Sequence, residues 1–430
     1  MRETPSSRST APLRVSVLVD LLHRPDAGGH VKAWEKLAAA AVGSAEIDLT
    51  VHFAGRLPGL RALADNVRFR FHRPAFSTER LPFLSQVPDH TDLAPHHPAL
   101  ARHLADADLL HTTDAFFAYA RTAERIARRR KVPLTSSVHT DTPRYTRLFT
   151  AATIERLFGP ARLGRWLGRL FDERLGLPRR SEARMRRRLL EHQRLCAAAL
   201  VSRPEEVEPL SRLLAPGRVG LLRRGIDRAL FSPAHRDRAW LEATFGIPAG
   251  RVVILFVGRI DRGKNVLTLV EAVEALTRAG RPLHLFCAGE GAERQAVGAR
   301  LGPAASCPGM LSPAELARVY ASTDVVAHPS EIEESSNVAR EALASGRAFV
   351  TTETVARGLV TDGEDGIVVR EGSPAAWSAA LARLEESAAL RDRLGAAARR
   401  RAETTLPSWR DVLEQDLVSV WRRVHAEAQR

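Results

Sequence analysis

The chain has 430 residues, more than a single hydrophobic core usually holds, so two domains of about 200 residues each are expected. Its three widely spaced cysteines form neither a metal-binding nor a CxxC pattern, which argues against a disulfide framework and fits a reducing cytoplasm. The formal net charge of +14 fits either the arginine bias of a high-GC genome or an anionic partner, whether nucleotide, membrane surface or nucleic acid.

The N-terminal residues 1–12 are rich in Ser, Thr, Pro and Arg, a composition typical of a disordered tail. They do not have the pattern of a signal peptide. No apolar run approaches the roughly 18–20 residues that a membrane-spanning helix needs. We therefore expect a cytoplasmic protein.

The first half of the chain alternates short β-rich runs with helical patterns. A glycine-containing loop with Gly28 and Gly29 separates the first run from the first helical pattern. Such alternation predicts βαβ units and a parallel sheet. The predicted strands are residues 13–19, 49–53, 109–111 and 134–139.

The second half repeats this pattern. Residues 252–258 form a continuous apolar run that ends at a glycine, as expected of a buried parallel strand. We therefore predict two doubly wound α/β domains, whose ligands bind outside the carboxyl ends of the strands. The predicted boundaries are 13–225 for the first domain, 226–407 for the second and 408–430 for a C-terminal helix. The further strands predicted in the second domain are residues 284–289, 325–327 and 348–351.

The segment 156–190 is crowded with arginine and predicts a basic amphipathic helix. Leucines and Trp166 recur at helical spacing on one side, while Arg162, Arg165 and Arg169 fall on the other. The segment is interpreted as a surface helix that packs on the first domain or as a contact with an anionic membrane. Nucleic-acid binding is a weaker interpretation, because the aromatic residues, Trp166 and Phe171, lie on the apolar face.

Two loops at predicted strand ends in the second half carry candidate ligand-binding residues. Arg259 and Lys264 lie on a strand-to-helix connection, where two cations can clamp a diphosphate, although they could also be solvated surface charges. Gly289 and Gly291 follow the next strand, and glycines there let a base or a ribose approach the backbone.

Two carboxylates, Glu333 and Glu341, lie eight positions apart at the start of a predicted helix. The amides and the dipole of a helix N-terminus favour anions, whereas a carboxylate accepts hydrogen bonds from hydroxyl groups. A ligand that carries both phosphate and hydroxyls, such as a nucleotide sugar, fits this combination. Eight helical residues span roughly 12 Å, which exceeds the about 5–10 Å between paired glycosidase carboxylates. We therefore do not expect Glu333 to be a covalent nucleophile.

Together these motifs resemble the family 4 retaining glycosyltransferases of the GT-B fold. The resemblance implies two Rossmann-like domains that face a central cleft, with a C-terminal helix that crosses back to the first domain. It extends over nearly the whole chain. The matching elements are Gly28-Gly29, the histidine segment 138–143, the junction 225–233, Arg259 and Lys264, Gly289-x-Gly291, Pro329-Ser330 and the E-x7-E motif of Glu333 and Glu341.

The resemblance also implies a role for each residue. Arg259 and Lys264 would bind the donor diphosphate and stabilise it as a leaving group, which is electrostatic stabilisation of developing charge. Glu341 would accept hydrogen bonds from the ribose, and Glu333 would lie under the transferred sugar. His139 would face that sugar from the first domain. The backbone amides expected to meet the donor are those of Gly28, Gly29, Gly289, Gly291, Ser335, Ser336 and Asn337.

Two aspartates have competing interpretations. Asp114 follows a predicted strand and could line the acceptor side, and Asp141 could do so or could cap a helix. The chain departs from the family pattern at Ser335 and Ser336, where relatives often have an aromatic residue and a glycine.

The mechanism implied by the resemblance is front-face displacement with retention, without a metal or another cofactor. The donor would be a UDP- or GDP-sugar. The acceptor would be a hydroxyl of a lipid-linked, glycan or small-molecule substrate of the bacterial cell envelope. A nucleotide-sugar epimerase or hydrolase of the same fold is the alternative, and a basic nucleic-acid-binding protein is a remote one.

Overall fold

The computed structural model describes residues 11–24, 27–80, 91–158, 176–331 and 336–430. The chain divides into two compact units. The first unit combines Met1–Arg223 with Trp409–Arg430, and the second is Arg224–Ser408. Most of the predicted tail 1–12 lies outside the described residues, as do residues 159–175 of the predicted basic segment.

The first unit is built on an eight-stranded sheet covered by helices. Its strands and helices in chain order are β1 (Leu13–Leu22), α1 (Gly29–Ala41), β2 (Ile47–Ala54), β3 (Gly59–Ala64), β4 (Val67–His72), α2 (Pro98–His103), β5 (Leu109–Thr112), α3 (Ala118–Arg130), β6 (Leu134–Ser137), α4 (Thr142–Phe158), α5 (Leu177–Leu195), β7 (Ala198–Val201), α6 (Pro204–Ser211) and β8 (Val219–Leu221).

The sheet order is β3-β4-β2-β1-β5-β6-β7-β8, and all neighbours are parallel except the edge pair β3 and β4. The strand order therefore reverses between β1 and β5. In a doubly wound sheet this reversal opens a crevice at the carboxyl ends of the two strands. The loop with Gly28 and Gly29 lies between β1 and α1, on the side of the sheet where this crevice opens.

The C-terminal helix belongs to the first unit. It consists of Trp409–Asp411, a π-helical run Val412–Val418 and Ser419–Ala428. Its apolar side chains join the core that α1 forms with the sheet, and Trp421 is fully buried there. The prediction that this helix packs on the first domain is confirmed.

The second unit is built on a six-stranded parallel sheet. Its strands and helices in chain order are α7 (Arg238–Phe245), β9 (Val252–Val257), α8 (Val266–Arg278), β10 (Leu283–Ala288), α9 (Arg294–Leu301), β11 (Ala305–Gly309), α10 (Pro313–Ser322), β12 (Val325–His328), α11 (Asn337–Ala344), β13 (Ala348–Thr352), α12 (Glu353–Ala356), β14 (Ile367–Val369), α13 (Pro374–Glu386) and α14 (Ala388–Thr405).

The order of the second sheet is β11-β10-β9-β12-β13-β14. This is the 3-2-1-4-5-6 order of a dinucleotide-binding fold, with its switch point between β9 and β12. The prediction of two doubly wound α/β domains is confirmed. Strands β3, β4, β7, β8, β11 and β14 were not predicted, since they are short or lack a continuous apolar run.

The predicted basic segment 156–190 spans the end of α4 and most of α5, which pack against each other. The side chains of Arg179, Arg180, Arg184 and Arg187 are exposed on α5. Within the described ranges, no helix combines the length and the apolar character needed to cross a membrane.

Candidate functional site

The loops that follow β9 and β10 lie side by side at the carboxyl edge of the second sheet. The Gly258 amide donates to the Ala288 carbonyl over 3.0 Å, and the Ile260 amide donates to the Glu290 carbonyl over 2.9 Å. These bonds continue the ladder of the two strands into their loops. Arg259 therefore lies at the carboxyl edge of the second sheet, beside the loop that contains Gly289 and Gly291.

The two glycines after β10 are required by this close approach. Gly289 has φ +146°, and a Cβ atom there would overlap the carbonyl oxygen of Gly258. A Cβ atom on Gly291 would overlap the carbonyl oxygen of Ile260. Chain packing alone thus explains why both positions are glycine, whereas the sequence suggested a ligand as the reason.

The predicted diphosphate loop is held by Asp261. Its carboxylate accepts a hydrogen bond from the Lys264 amide over 3.0 Å and caps a 3-10 turn, Arg262–Lys264. It also pairs with Arg259, whose Nε lies 3.2 Å from Oδ2, and the Arg259 side chain is 44% exposed. An ion pair this exposed contributes only about 0–1 kcal/mol. An incoming diphosphate could therefore exchange for Asp261 at little cost.

Glu341 lies in the second turn of α11 and is held by a buried phenol. The Tyr320 hydroxyl donates to Glu341 Oε2 over 3.0 Å. Burial and the Glu341 carboxylate raise the pKa of Tyr320 well above its usual range, so the phenol stays protonated and donates. The helix itself begins at Ser336, whose hydroxyl accepts from the Ala339 amide over 3.1 Å. Ser336 is therefore an N-cap.

Glu333 and Ser335 lie outside the described residues. The described chain approaches them from Ser330, whose carbonyl accepts a hydrogen bond from the Thr352 hydroxyl over 2.6 Å. Asn337 is the first residue of α11, directly after the Ser336 cap. The second unit thus brings Arg259, Lys264, Ser336, Asn337 and Glu341 onto loops and helix starts that follow the strands on either side of the switch point.

The remaining predicted residues lie in the first unit, also at the carboxyl ends of its strands. Gly28 is the N-cap of α1 and makes no side-chain cap bond, and Gly29 is the first residue of the helix. His139 follows β6 and is 6% exposed. It stacks on the His30 ring with centroids 4.3 Å apart.

The two predicted acceptor-side aspartates make local hydrogen bonds. Asp141 accepts from the Arg144 amide over 3.0 Å at the start of α4, which is the capping alternative. Asp114 is half-buried and accepts from the amides of Phe116 and Phe117 over 2.9 and 3.3 Å. Burial raises the pKa of Asp114.

Asp20 and Asp92 were not singled out in the sequence. The Asp20 carboxylate accepts from the amides of Asp92 and Tyr119 over 3.2 and 3.0 Å. Burial, and then the Asp114 carboxylate, raise the pKa of Asp20 well above its usual range. The carboxyl groups of Asp20 and Asp114 therefore hold loop amides near the carboxyl ends of β1 and β5. The sequence does hold a signal for Asp20, because an aspartate directly after a β-rich apolar run is unusual.

His111, Trp34 and Ser137 were also missed as site residues, although each touches His139 or its partners. The Trp34 indole and the Ser137 hydroxyl both reach His139 Nε2, over 3.2 and 2.8 Å. His111 bonds Ser137 in turn, over 2.9 Å. Nothing in the sequence signals these contacts, because they depend on tertiary packing.

A cavity of about 530 Å3 opens at the outer edge of the second sheet, beside β11. It is lined by Gly291, Arg294 and Cys307, among others, and shares only Gly291 with the predicted donor residues. It lies away from the switch point, so we do not assign it to the donor. Across the described part of the chain, no group of three or more His, Cys, Asp or Glu side chains is arranged to hold a metal ion.

Comparison with known proteins finds a family similarity within the second unit. Residues 251–387 match the protein family described as "Glycosyl transferases group 1". The matched segment contains the Arg259 loop, the Gly289-x-Gly291 turn and Glu341. Over this segment the second unit is similar to the group 1 glycosyl transferases.

Relatives of known name match about half of the chain. A D-inositol 3-phosphate glycosyltransferase of Nocardioides sp. is 34% identical over 235 residues, which cover 49% of this chain and 50% of that protein. A GDP-mannose-dependent alpha-mannosyltransferase of Mycolicibacterium smegmatis is 36% identical over 179 residues, which cover 41% of this chain and 45% of that protein. The chain thus spans about half the length of the curated relatives it matches.

The structural similarity extends over nearly the whole chain. The sucrose-phosphate synthase of Thermosynechococcus elongatus superimposes with a TM-score of 0.68 at 18% identity, covering 96% of this chain and all of that protein. At this identity the likeness concerns the fold alone. The fold is the GT-B fold of glycosyltransferases, as the sequence predicted.

Proposed function

We propose that this protein is a retaining glycosyltransferase of the family 4 type, which transfers a hexose from a UDP- or GDP-sugar to a hydroxyl group. The observation that carries the proposal is the match of residues 251–387 to group 1 glycosyl transferases, since it coincides with the switch point of the second sheet. The GDP-mannose dependence in the name of the mycobacterial relative supports GDP-mannose as the first donor to test.

In the proposed reaction, the bond between the anomeric carbon and the diphosphate oxygen breaks as the acceptor oxygen attacks from the same face. The acceptor proton passes to an oxygen of the leaving nucleoside diphosphate. Arg259 and Lys264 neutralise the charge that develops on that group, and a positioned charge of this kind removes about 3 kcal/mol from a barrier. These two cations let us propose that the reaction needs no metal or cofactor.

The other residues of the proposed site orient the donor. Glu341, held by Tyr320, accepts hydrogen bonds from the ribose hydroxyls, and Glu333 binds the sugar. The amides at the start of α11, around Ser336 and Asn337, and those at Gly28 and Gly29 face phosphate or sugar oxygens. His139 contacts the transferred sugar.

The test is transfer activity with a panel of UDP- and GDP-sugars, with inositol phosphates among the acceptors because of the first relative's name. Lys264→Ala should lower kcat by at least a hundredfold. Arg262→Ala is the matched control, since Arg262 lies in the same turn, is 88% exposed and pairs only across the surface with Glu293. Donor cleavage without any acceptor would instead indicate an epimerase or hydrolase, and equal activity of both variants would refute the site.

We further propose that the acceptor is presented at an anionic membrane surface on the cytoplasmic side, through the segment 156–190. The exposed arginines of α5 support this, because each basic residue near an anionic surface contributes about 1 kcal/mol. Sedimentation with vesicles that contain phosphatidylglycerol tests the contact. Changing Arg179, Arg180, Arg184 and Arg187 to Gln should abolish binding. Equal binding to neutral vesicles, or no loss in the variant, would overturn it.

A further inference from the structure

A chain of hydrogen bonds runs through the interior of the first unit, from the C-terminal helix to His139. Trp421 Nε1 lies 3.3 Å from His111 Nδ1, and His111 Nε2 lies 2.9 Å from Ser137 Oγ. Ser137 Oγ lies 2.8 Å from His139 Nε2, which Trp34 Nε1 also approaches to 3.2 Å. All five side chains are buried, so water does not compete for these bonds.

The indole of Trp421 sets the direction of the first two bonds. An indole N–H only donates, so His111 Nδ1 must offer its lone pair. Burial, and then the charge of the nearby His192, lower the pKa of His111 to about 3, so its ring is neutral at physiological pH. A neutral imidazole has one proton, which must then lie on Nε2. His111 therefore donates to Ser137.

The same reasoning continues to His139. The Ser137 hydroxyl has a single proton, and since it accepts from His111 it donates that proton toward His139 Nε2. The indole of Trp34 donates to the same nitrogen. A nitrogen that accepts from an indole carries no proton of its own, which excludes the doubly protonated imidazolium. The proton of His139 must then lie on Nδ1.

We propose that Trp34 and Trp421 are positioning residues that hold His139 as the neutral tautomer with its proton on Nδ1. Trp34 acts directly, and Trp421 acts through His111 and Ser137. The two indoles come from α1 and from the C-terminal helix, so two distant parts of the chain determine where this proton lies. The effect on sugar transfer rests on the proposed function, whereas the tautomer itself does not.

The arrangement predicts a specific pattern among variants. In Trp421→Phe, His111 loses its donor at Nδ1 and can instead donate from that atom to the Thr135 hydroxyl, 2.8 Å away. His111 then becomes a mixture of tautomers, while Trp34 alone still holds His139. Only the double variant Trp34→Phe/Trp421→Phe removes both constraints, so its effect on His139 should exceed the sum of the two single effects.

The experiment is nitrogen-15 NMR of histidine-labelled protein without substrates, which distinguishes a protonated ring nitrogen from one with a lone pair. Wild type should show lone pairs at His111 Nδ1 and His139 Nε2. The double variant should show a substantial fraction of His139 with its proton on Nε2. Trp377→Phe is the matched control, because this fully buried indole belongs to the second unit. A proton on His139 Nε2 in wild type, or an unchanged His139 in the double variant, would overturn the inference.

Ser137→Ala tests the inference independently, because it removes the hydroxyl that connects His111 with His139 and leaves the C-terminal helix unaltered. Combined with Trp34→Phe it should release His139 as the double tryptophan variant does, and a retained tautomer there would also overturn the inference.

Kinetics separate this inference from the proposed function. If the tautomer of His139 changes in a double variant, and kcat falls at least tenfold while KM for the donor is unchanged, both the inference and the proposed function are supported. A changed tautomer with unchanged kcat supports the inference and removes His139 from the proposed catalytic residues.

Discussion

The Tyr320 hydroxyl donates to Glu341 Oε2 over 3.0 Å, from a phenol that is fully buried. A carboxylate held in this way is oriented by the protein, as the proposed contact with a ribose requires. We therefore expect Tyr320→Phe to weaken donor-nucleotide binding about tenfold, the effect of one hydrogen bond of about 1.4 kcal/mol. Glu341→Ala should weaken it further, because the ribose contact itself is lost.

Isothermal titration with UDP and GDP measures this effect. Tyr119→Phe is the matched control, because Tyr119 is also buried and donates one hydrogen bond, to the Phe53 carbonyl over 3.1 Å, but belongs to the first unit. Equal affinity of wild type and Tyr320→Phe would contradict the orientation of Glu341 by this phenol.

The second prediction concerns the glycines after β10. Gly291→Ala should destabilise the second unit by about 2 kcal/mol or more, because the added methyl group meets the Ile260 carbonyl oxygen and the paired loops must separate. Donor binding should fall with it. Gly298→Ala, in the adjacent helix α9, meets no atom within 4 Å and should stabilise by about 0.5–1 kcal/mol. Thermal unfolding measures the midpoint temperature of each variant. Equal midpoints for Gly291→Ala and Gly298→Ala would refute the packing explanation.

A pH dependence follows from His192, which lies 2.5 Å from Glu124 and 3.6 Å from the Cys196 sulphur. Burial lowers the pKa of His192, but Cys196 and then Glu124 more than offset this and raise it to about 10. The unfolded value is about 6.5, so the charged ring contributes its full stability below pH 6.5 and loses it as the pH rises toward 10.

The expected loss in the first unit between pH 6.5 and 10 is on the order of 4 kcal/mol. Urea unfolding followed by pulsed hydrogen exchange assigns the transition to this unit. Glu124→Gln should be less stable at pH 7 and should lose less on going to pH 10. If the free energy of unfolding of Glu124→Gln fell with pH as steeply as that of wild type, the His192–Glu124 pair would not titrate in this range.

Asp416 anchors the C-terminal helix. It accepts the Arg223 backbone amide over 2.9 Å and the guanidinium nitrogens over 2.7 and 3.1 Å, and its hydrogen bond raises the pKa of Arg223. Asp416→Asn should destabilise the first unit by about 2 kcal/mol, since charged bonds in a partly buried site are lost. Glu414→Gln is the control, because its pair with Arg410 is more than half exposed on both sides, and it should cost less than about 0.5 kcal/mol.

The fold was predictable from the sequence wherever burial on both faces of a strand left a continuous apolar run. The strand Val252–Val257 is an example, as five of its six residues are buried. The edge strand Gly59–Ala64 was not predictable. Its residues are largely exposed, so its sequence does not alternate between buried apolar and exposed polar residues. The three-residue strand Val219–Leu221 is too short to carry a pattern.

Site residues were predictable where they belong to a local motif, as in the Arg259 loop or at Glu341. Contacts between distant positions were not, since Trp421 and His111 are 310 positions apart and meet only after the C-terminal helix has packed. Local chemistry left some residues with two interpretations. Asp141 had a functional and a capping interpretation, and its carboxylate accepts the Arg144 amide as a cap does.

The division of the chain has a consequence for its synthesis. The second unit is one continuous stretch, Arg224–Ser408, whereas the first unit needs Trp409–Arg430 to fill its core. Because a ribosome delivers residues in order, the second unit is complete in sequence while the first still lacks Leu417 and Trp421. The apolar face that awaits them stays uncovered through the translation of the whole second unit. A helix that is synthesised after the second unit thus completes the core of the first unit.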